Sequence, residues 1–186
     1  AIREREPKRT IAIGSNRWCQ AQTFPALRVP ENDPNLMLVL HFYNPMLITH
    51  WKAPWSKDIR DYRGPVTYPG VPISENDWNA LEPDLQRRLQ DENIWWDRDR
   101  MEAFIQPAIA KARECGLPLW CNEFGVVKWM DDDIKRAWYR DFVSIMEEND
   151  IAWSNWDYRG QFGLYDGLTR EPTMVIEALL GEPSLA

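Results

Sequence analysis

Residues 36–43 read Leu-Met-Leu-Val-Leu-His-Phe-Tyr, an apolar run broken by a single histidine and closed by Asn44-Pro45. A strand with one face in water alternates apolar and polar residues. A continuous run belongs in a sheet covered on both faces, the setting of parallel strands. The pattern recurs along the chain. Residues 10–14 form a short strand running into Ser15-Asn16-Arg17-Trp18-Cys19. Residues 117–124, Leu-Pro-Leu-Trp-Cys-Asn-Glu-Phe, are opened by Gly116 and closed by Gly125, and residues 151–156 lead into Asp157.

Helical segments separate these runs. Residues 99–115 place Met101, Phe104, Ile105, Ala108, Ile109 and Ala112 at helical spacing, with Gly116 as the stop. Asp131-Asp132-Asp133 suits the start of a helix reaching Asn149, where carboxylates meet the positive end of the dipole. We prefer that reading to a metal site, and place Ile134, Ala137, Trp138, Phe142, Ile145 and Met146 on its apolar side. Residues 1–6 read as a last helical turn stopped by Pro7, and residues 172–180 as a short closing helix. Residues 44–97 form a long connection carrying Trp51, Trp55, Trp78, Trp95 and Trp96, with a short helix expected over 84–92. The order is thus strand then helix or loop, four times over. It predicts an α/β chain, residues 1–186 forming one domain of four parallel strands with helices outside and right-handed crossovers.

Each strand delivers a polar or aromatic cluster to its C-terminal end, where barrel enzymes carry their chemistry. These are Asn16 and Trp18, His41 and Tyr43, Glu123, and Trp156 with Asp157. Period-2 alternation points His41 and Tyr43 the same way. A lone Asn-Glu pair is more often a solvated loop, and a lone histidine more often core. Four such ends meeting on one surface single these residues out.

A net charge of −7 argues against nucleic acid or an anionic membrane as partner and favours neutral substrates. Eleven tryptophans are several times the usual share; most are expected to fill the core, and about three or four to line a groove, since flat indole faces also stack on sugar rings. Cys19, Cys115 and Cys121 are odd in number and show no Cys-x-x-Cys spacing, so no essential disulfide is expected. No apolar run approaches the roughly 18 residues of a membrane span. Residues 1–9 are of mixed charge, so no signal peptide is expected in them.

Three segments carry a resemblance to a known family. Leu40-His41-Phe42-Tyr43-Asn44-Pro45 with Thr49-His50-Trp51, then Asn122-Glu123-Phe124-Gly125, then Trp153-Ser154-Asn155-Trp156-Asp157-Tyr158 resemble the second half of a family 5 glycoside hydrolase of the cellulase type. The resemblance implies strands five to eight of a (β/α)8 TIM barrel that cuts β-linked glucans or mannans with retention, without metal or organic cofactor. It implies a secreted or extracellular protein. It also implies that Glu123 is the nucleophile, that His41 and Tyr43 orient it and bind sugar, and that Trp156 is the stacking platform. Asn16, Trp18, Trp51 and Asp157 complete the expected substrate-binding set.

The family's general acid/base lies at the end of the fourth strand, which this chain does not include. A half-barrel also leaves two strand edges and an apolar interior face to cover. The expected cover is a complementary N-terminal half-barrel or a second copy in a homodimer, with the partner copy's Asp157 as candidate acid. Two functions stay open on the sequence: a hydrolase completed by such a partner, and a non-catalytic carbohydrate-binding half-barrel or folding fragment.

Overall fold

The computed structural model describes residues 2–181. Four strands, β1 (Ile11–Gly14), β2 (Leu36–Phe42), β3 (Leu119–Phe124) and β4 (Ala152–Trp153), form one sheet in the order β1-β2-β3-β4. Every pairing is parallel. β4 is shorter than expected because regular pairing stops at Trp153, although Ser154 N–H still reaches Cys121 O (3.0 Å) and Trp156 N–H reaches Phe124 O (2.8 Å).

Two long helices cover one face. Arg98–Cys115 is opened by the Asp97 side chain, which accepts from Arg100 N–H at 2.9 Å, and is closed by Gly116 in the left-handed conformation. Asp132–Glu148 is opened by Asp131, whose carboxylate accepts from the N–H groups of Asp133 (3.0 Å) and Ile134 (3.4 Å). The acidic cluster therefore serves as a helix start. Short helices Ile2–Arg5 and Met174–Leu180 lie at the two ends.

The core forms where the strands meet the 132–148 helix. Phe124 stacks on Phe142 with centroids 4.2 Å apart, Trp138 lies parallel to Phe142 at 5.3 Å, and Phe42 completes the group at 5.5 Å from Phe142. Leu38, Leu40 and Phe42 thus face the helices. Alternation and register put Ala12, Met37, Val39, Trp120 and Ala152 on the opposite face, where Ala12 and Ala152 are exposed and Met37 and Trp120 half-buried.

The connection between β2 and the 98–115 helix is ordered by its own small core of Leu47, Ile59, Tyr62, Ile73 and Leu89. It contains short helices at Met46–Thr49, Glu75–Asn79 and Pro83–Leu89, the last standing where residues 84–92 were expected to be helical. Tyr68 donates to Asp141 at 2.9 Å and ties the loop to the 132–148 helix. Gly70 and Trp96 exchange backbone hydrogen bonds of 2.7 and 2.8 Å, which close the loop on itself.

Candidate active site

Glu123 owes its orientation to an irregularity. Pairing runs regularly through Leu38 with Leu119, Val39 with Trp120 and Leu40 with Cys121, then slips so that His41 pairs with Glu123 and Phe42 with Phe124. Asn122 is the extra residue of a β-bulge. Without it, alternation from the buried Leu119 and Cys121 would turn Glu123 toward the helices. With it, Glu123 shares the face of His41, a common use of bulges beside functional sites.

The geometry around the carboxylate follows from that slip. His41 Nδ1 lies 3.3 Å from Glu123 Oε2, and Tyr43 Oη donates to the same oxygen at 3.4 Å. Both contacts are long for hydrogen bonds of these types. Burial, and then the neighbouring Glu123 charge, push the Tyr43 phenol well above its ordinary value, so it remains a donor. The Cys19 thiol is also raised, by burial first and by Glu123 second, which places it within the field of the carboxylate.

Behind Tyr43 stands a wall of rings from distant loops. His50 meets Tyr43 edge-on at 5.1 Å and Phe162 at 5.3 Å, while Trp55 packs against both His50 (6.4 Å) and Phe162 (6.2 Å). Burial lowers the His50 imidazole to about 4, so the ring is neutral. Trp55 and Phe162 come together only in the tertiary structure. Thr49-His50 carried part of the family resemblance, but their side chains had no role in the sequence reading.

The remaining sequence-predicted residues are distributed as follows. Trp156 follows β4 with its side chain 47% exposed, open for stacking, and the Trp156-Asp157 peptide is cis. Trp18 is 83% exposed and sits with Asn16 at the end of β1, on a turn in which Arg17, Trp18 and Cys19 all take left-handed φ. Such a turn costs on the order of 1 kcal/mol per residue. It is held by Ser15 Oγ, which donates to Gln20 O at 2.9 Å, and by Thr23 Oγ1, 2.9 Å from Asn16 O. The Asp157 carboxylate closes a local turn by accepting from Gly160 N–H at 2.6 Å. Trp51 does not join the group: it packs between the two cores, its indole N–H donates to Gly64 O at 3.0 Å, and Lys52 lies 3.5 Å over its ring.

A family model described as Cellulase (glycosyl hydrolase family 5) matches residues 1–161. The chain belongs to glycosyl hydrolase family 5. Among relatives of this family 5 chain, Endoglucanase C of Acetivibrio thermocellus is 30% identical over 159 residues, covering 86% of this chain and 46% of the relative. Cellodextrinase A of Ruminococcus flavefaciens is 24% identical over 151 residues, covering 81% and 38%. The chain therefore spans about half the length, or less, of the curated relatives it matches.

Solved structures agree on the fold. Endoglucanase Cel5A of Thermotoga maritima superposes with a TM-score of 0.70 at 26% identity, covering 97% of this chain and 50% of its own in the cellobiose complex of a mutant form. The cellulose synthase subunit Z of Clostridioides difficile gives a TM-score of 0.75 at 20% identity, covering 96% and 52%. The four-stranded sheet is thus half of a barrel of this family.

Proposed function

We propose that this chain is the nucleophile-bearing half of a retaining β-glucan hydrolase. One observation carries the reading: a carboxylate at the C-terminal end of a parallel sheet, Glu123, meets His41 Nδ1 and Tyr43 Oη on the same oxygen. In a retaining reaction the ionised Glu123 attacks the anomeric carbon, the bond to the leaving oxygen breaks, and a glycosyl ester forms on Glu123. Tyr43, protonated throughout, supports the charged carboxylate and directs it. The half-exposed Trp156 indole gives the reacting sugar a flat surface to stack on.

The leaving oxygen needs a proton from a second carboxyl roughly 5 Å from the first. Within this chain the Asp157 carboxylate is already engaged with Gly160 N–H in its own turn. We infer that the acid is carried by a complementary four-stranded half of the barrel, a second copy of this chain being the competing source. The names of the relatives, endoglucanases and a cellodextrinase, support β-linked glucan as substrate. Thermotoga maritima Cel5A has also been solved with mannotriose, so β-mannan is the substrate to compare.

Removing the need for the acid provides the test. A 2,4-dinitrophenyl 2-deoxy-2-fluoro-β-cellobioside loses 2,4-dinitrophenolate without needing a proton as its anomeric carbon bonds to the carboxylate, so the chain alone should become esterified on Glu123 by the fluorocellobiosyl group, as read by peptide mass spectrometry. Soluble β-1,4-glucan should be cleaved only after the acid-bearing half is added, and not at all by Glu123→Gln. A label on another residue, or glucan cleavage undiminished in Glu123→Gln, refutes the assignment. Binding of glucan with neither label nor cleavage would establish the non-catalytic alternative.

A further inference from the structure

Three side chains behind the candidate nucleophile form a connected set. Thr49 is fully buried at the end of the Met46–Thr49 helix, and its hydroxyl lies against two carbonyl oxygens, Tyr43 O by a short hydrogen bond and Pro45 O at 3.4 Å. The same oxygen is 3.0 Å from His50 Nδ1. A hydroxyl has one proton. If that proton went to His50, the Thr49 oxygen would face two carbonyls with lone pairs alone. The proton therefore belongs to a carbonyl, and His50 Nδ1 must be the donor. His50 is 8% exposed, and its neutral ring then carries its hydrogen on Nδ1.

We propose that Thr49 and His50 are positioning residues that hold Tyr43, and through it the Glu123 carboxylate. The proposal rests on Glu123 being the nucleophile. Tyr43 is gripped at both ends of its side of the site: its carbonyl accepts from Thr49, and its ring meets His50 at 5.1 Å with planes 77° apart and Phe162 at 5.8 Å. Its hydroxyl stands 3.4 Å from Glu123 Oε2. Hydrogen bonding weakens quickly beyond that separation, so a few tenths of an ångström at Tyr43 decide whether the carboxylate keeps its donor. The side-chain hydrogen bonds of Thr49 and His50 go to Tyr43 O, Pro45 O and each other, and not to Glu123; both act through Tyr43.

The test uses the full chain and two readouts. Nitrogen-15 NMR of the histidine rings should find the His50 proton on Nδ1; a proton on Nε2 overturns the relay. Esterification of Glu123 by the dinitrophenyl fluorocellobioside should slow about tenfold at saturating reagent in Thr49→Val, with the reagent's binding constant changed less than about twofold. Thr49→Ser, which keeps the hydroxyl, should restore the rate. In a Tyr43→Phe background the Thr49→Val penalty should vanish, because the residue through which it acts has lost its donor. A Thr49→Val rate equal to wild type, or an undiminished penalty in the Tyr43→Phe background, overturns the proposal. If Thr49→Val melts early, His50→Asn and His50→Leu replace it, since Asn keeps an N–H where Nδ1 stands; equal rates for these two overturn it as well. Absence of label on wild-type Glu123 refutes the nucleophile assignment instead, and the ring proton then decides the relay separately.

Discussion

Gly125 lies where the segment after β4 passes too close to admit a side chain, so Gly125→Ala should disturb both packing and site. A Cβ at Gly125 would lie 2.5 Å from the Trp156 carbonyl oxygen and 3.2 Å from two Phe162 carbons. The first contact is about 0.9 Å short of ordinary van der Waals separation, and its partner is backbone, which cannot turn aside. Trp156 N–H is also bonded to Phe124 O at 2.8 Å, so the segment after β4 must shift as a unit or break that bond. Overpacking of this kind costs about 1–3 kcal/mol, which at ~2–4 °C per kcal/mol lowers the melting temperature by roughly 2–12 °C. The same shift moves Trp156, the stacking surface proposed for the reacting sugar. Misplacement by about 1 Å costs up to roughly 100-fold in rate. Thermal melts followed by circular dichroism, with the rate of Glu123 esterification, measure both effects. A Gly125→Ala chain that melts with wild type and is labelled at the wild-type rate would refute the packing argument.

Two further predictions concern stability. Phe142→Ala empties the centre of the ring stack formed with Phe42, Phe124 and Trp138, and should destabilise the fold by about 3–5 kcal/mol in a denaturant titration. A loss below about 1 kcal/mol would show that the stack is not the centre of the core. His50 gives a pH signature: its ordinary value is 6.5 and burial lowers it to about 4 in the folded chain. Between these values the unfolded state binds the extra proton, so stability falls as pH drops through that window, by about 1.4 kcal/mol per pH unit from this group. His50→Gln should flatten the slope between pH 6.5 and 4. An unchanged slope would mean that His50 is not held neutral.

Much of the scaffold is legible in the residues because its signals are local. The apolar runs marked four strands, the acidic run at Asp131 marked a helix start through the dipole and Gly116 a helix stop, and Glu123 stood beside a strand terminus in the linear order. The resemblance placed these segments in a family that the comparisons then showed. Trp51 illustrates where local reading stops. In sequence it is one more tryptophan in a long loop; in space its N–H and ring face are occupied by Gly64 and Lys52.

By itself the sequence determined the parallel architecture, the half-barrel extent and the carboxylate at the end of its third strand. Periodicity, helix caps and short motifs act over a few residues and need no knowledge of neighbours. Only the tertiary structure decided which way that carboxylate points and what surrounds it. The slip at Asn122 depends on how β3 registers against β2, and the ring wall around Tyr43 draws Trp55 and Phe162 from loops more than a hundred residues apart in number. Register and long-range packing are properties of pairs of segments, and no single stretch of chain carries them.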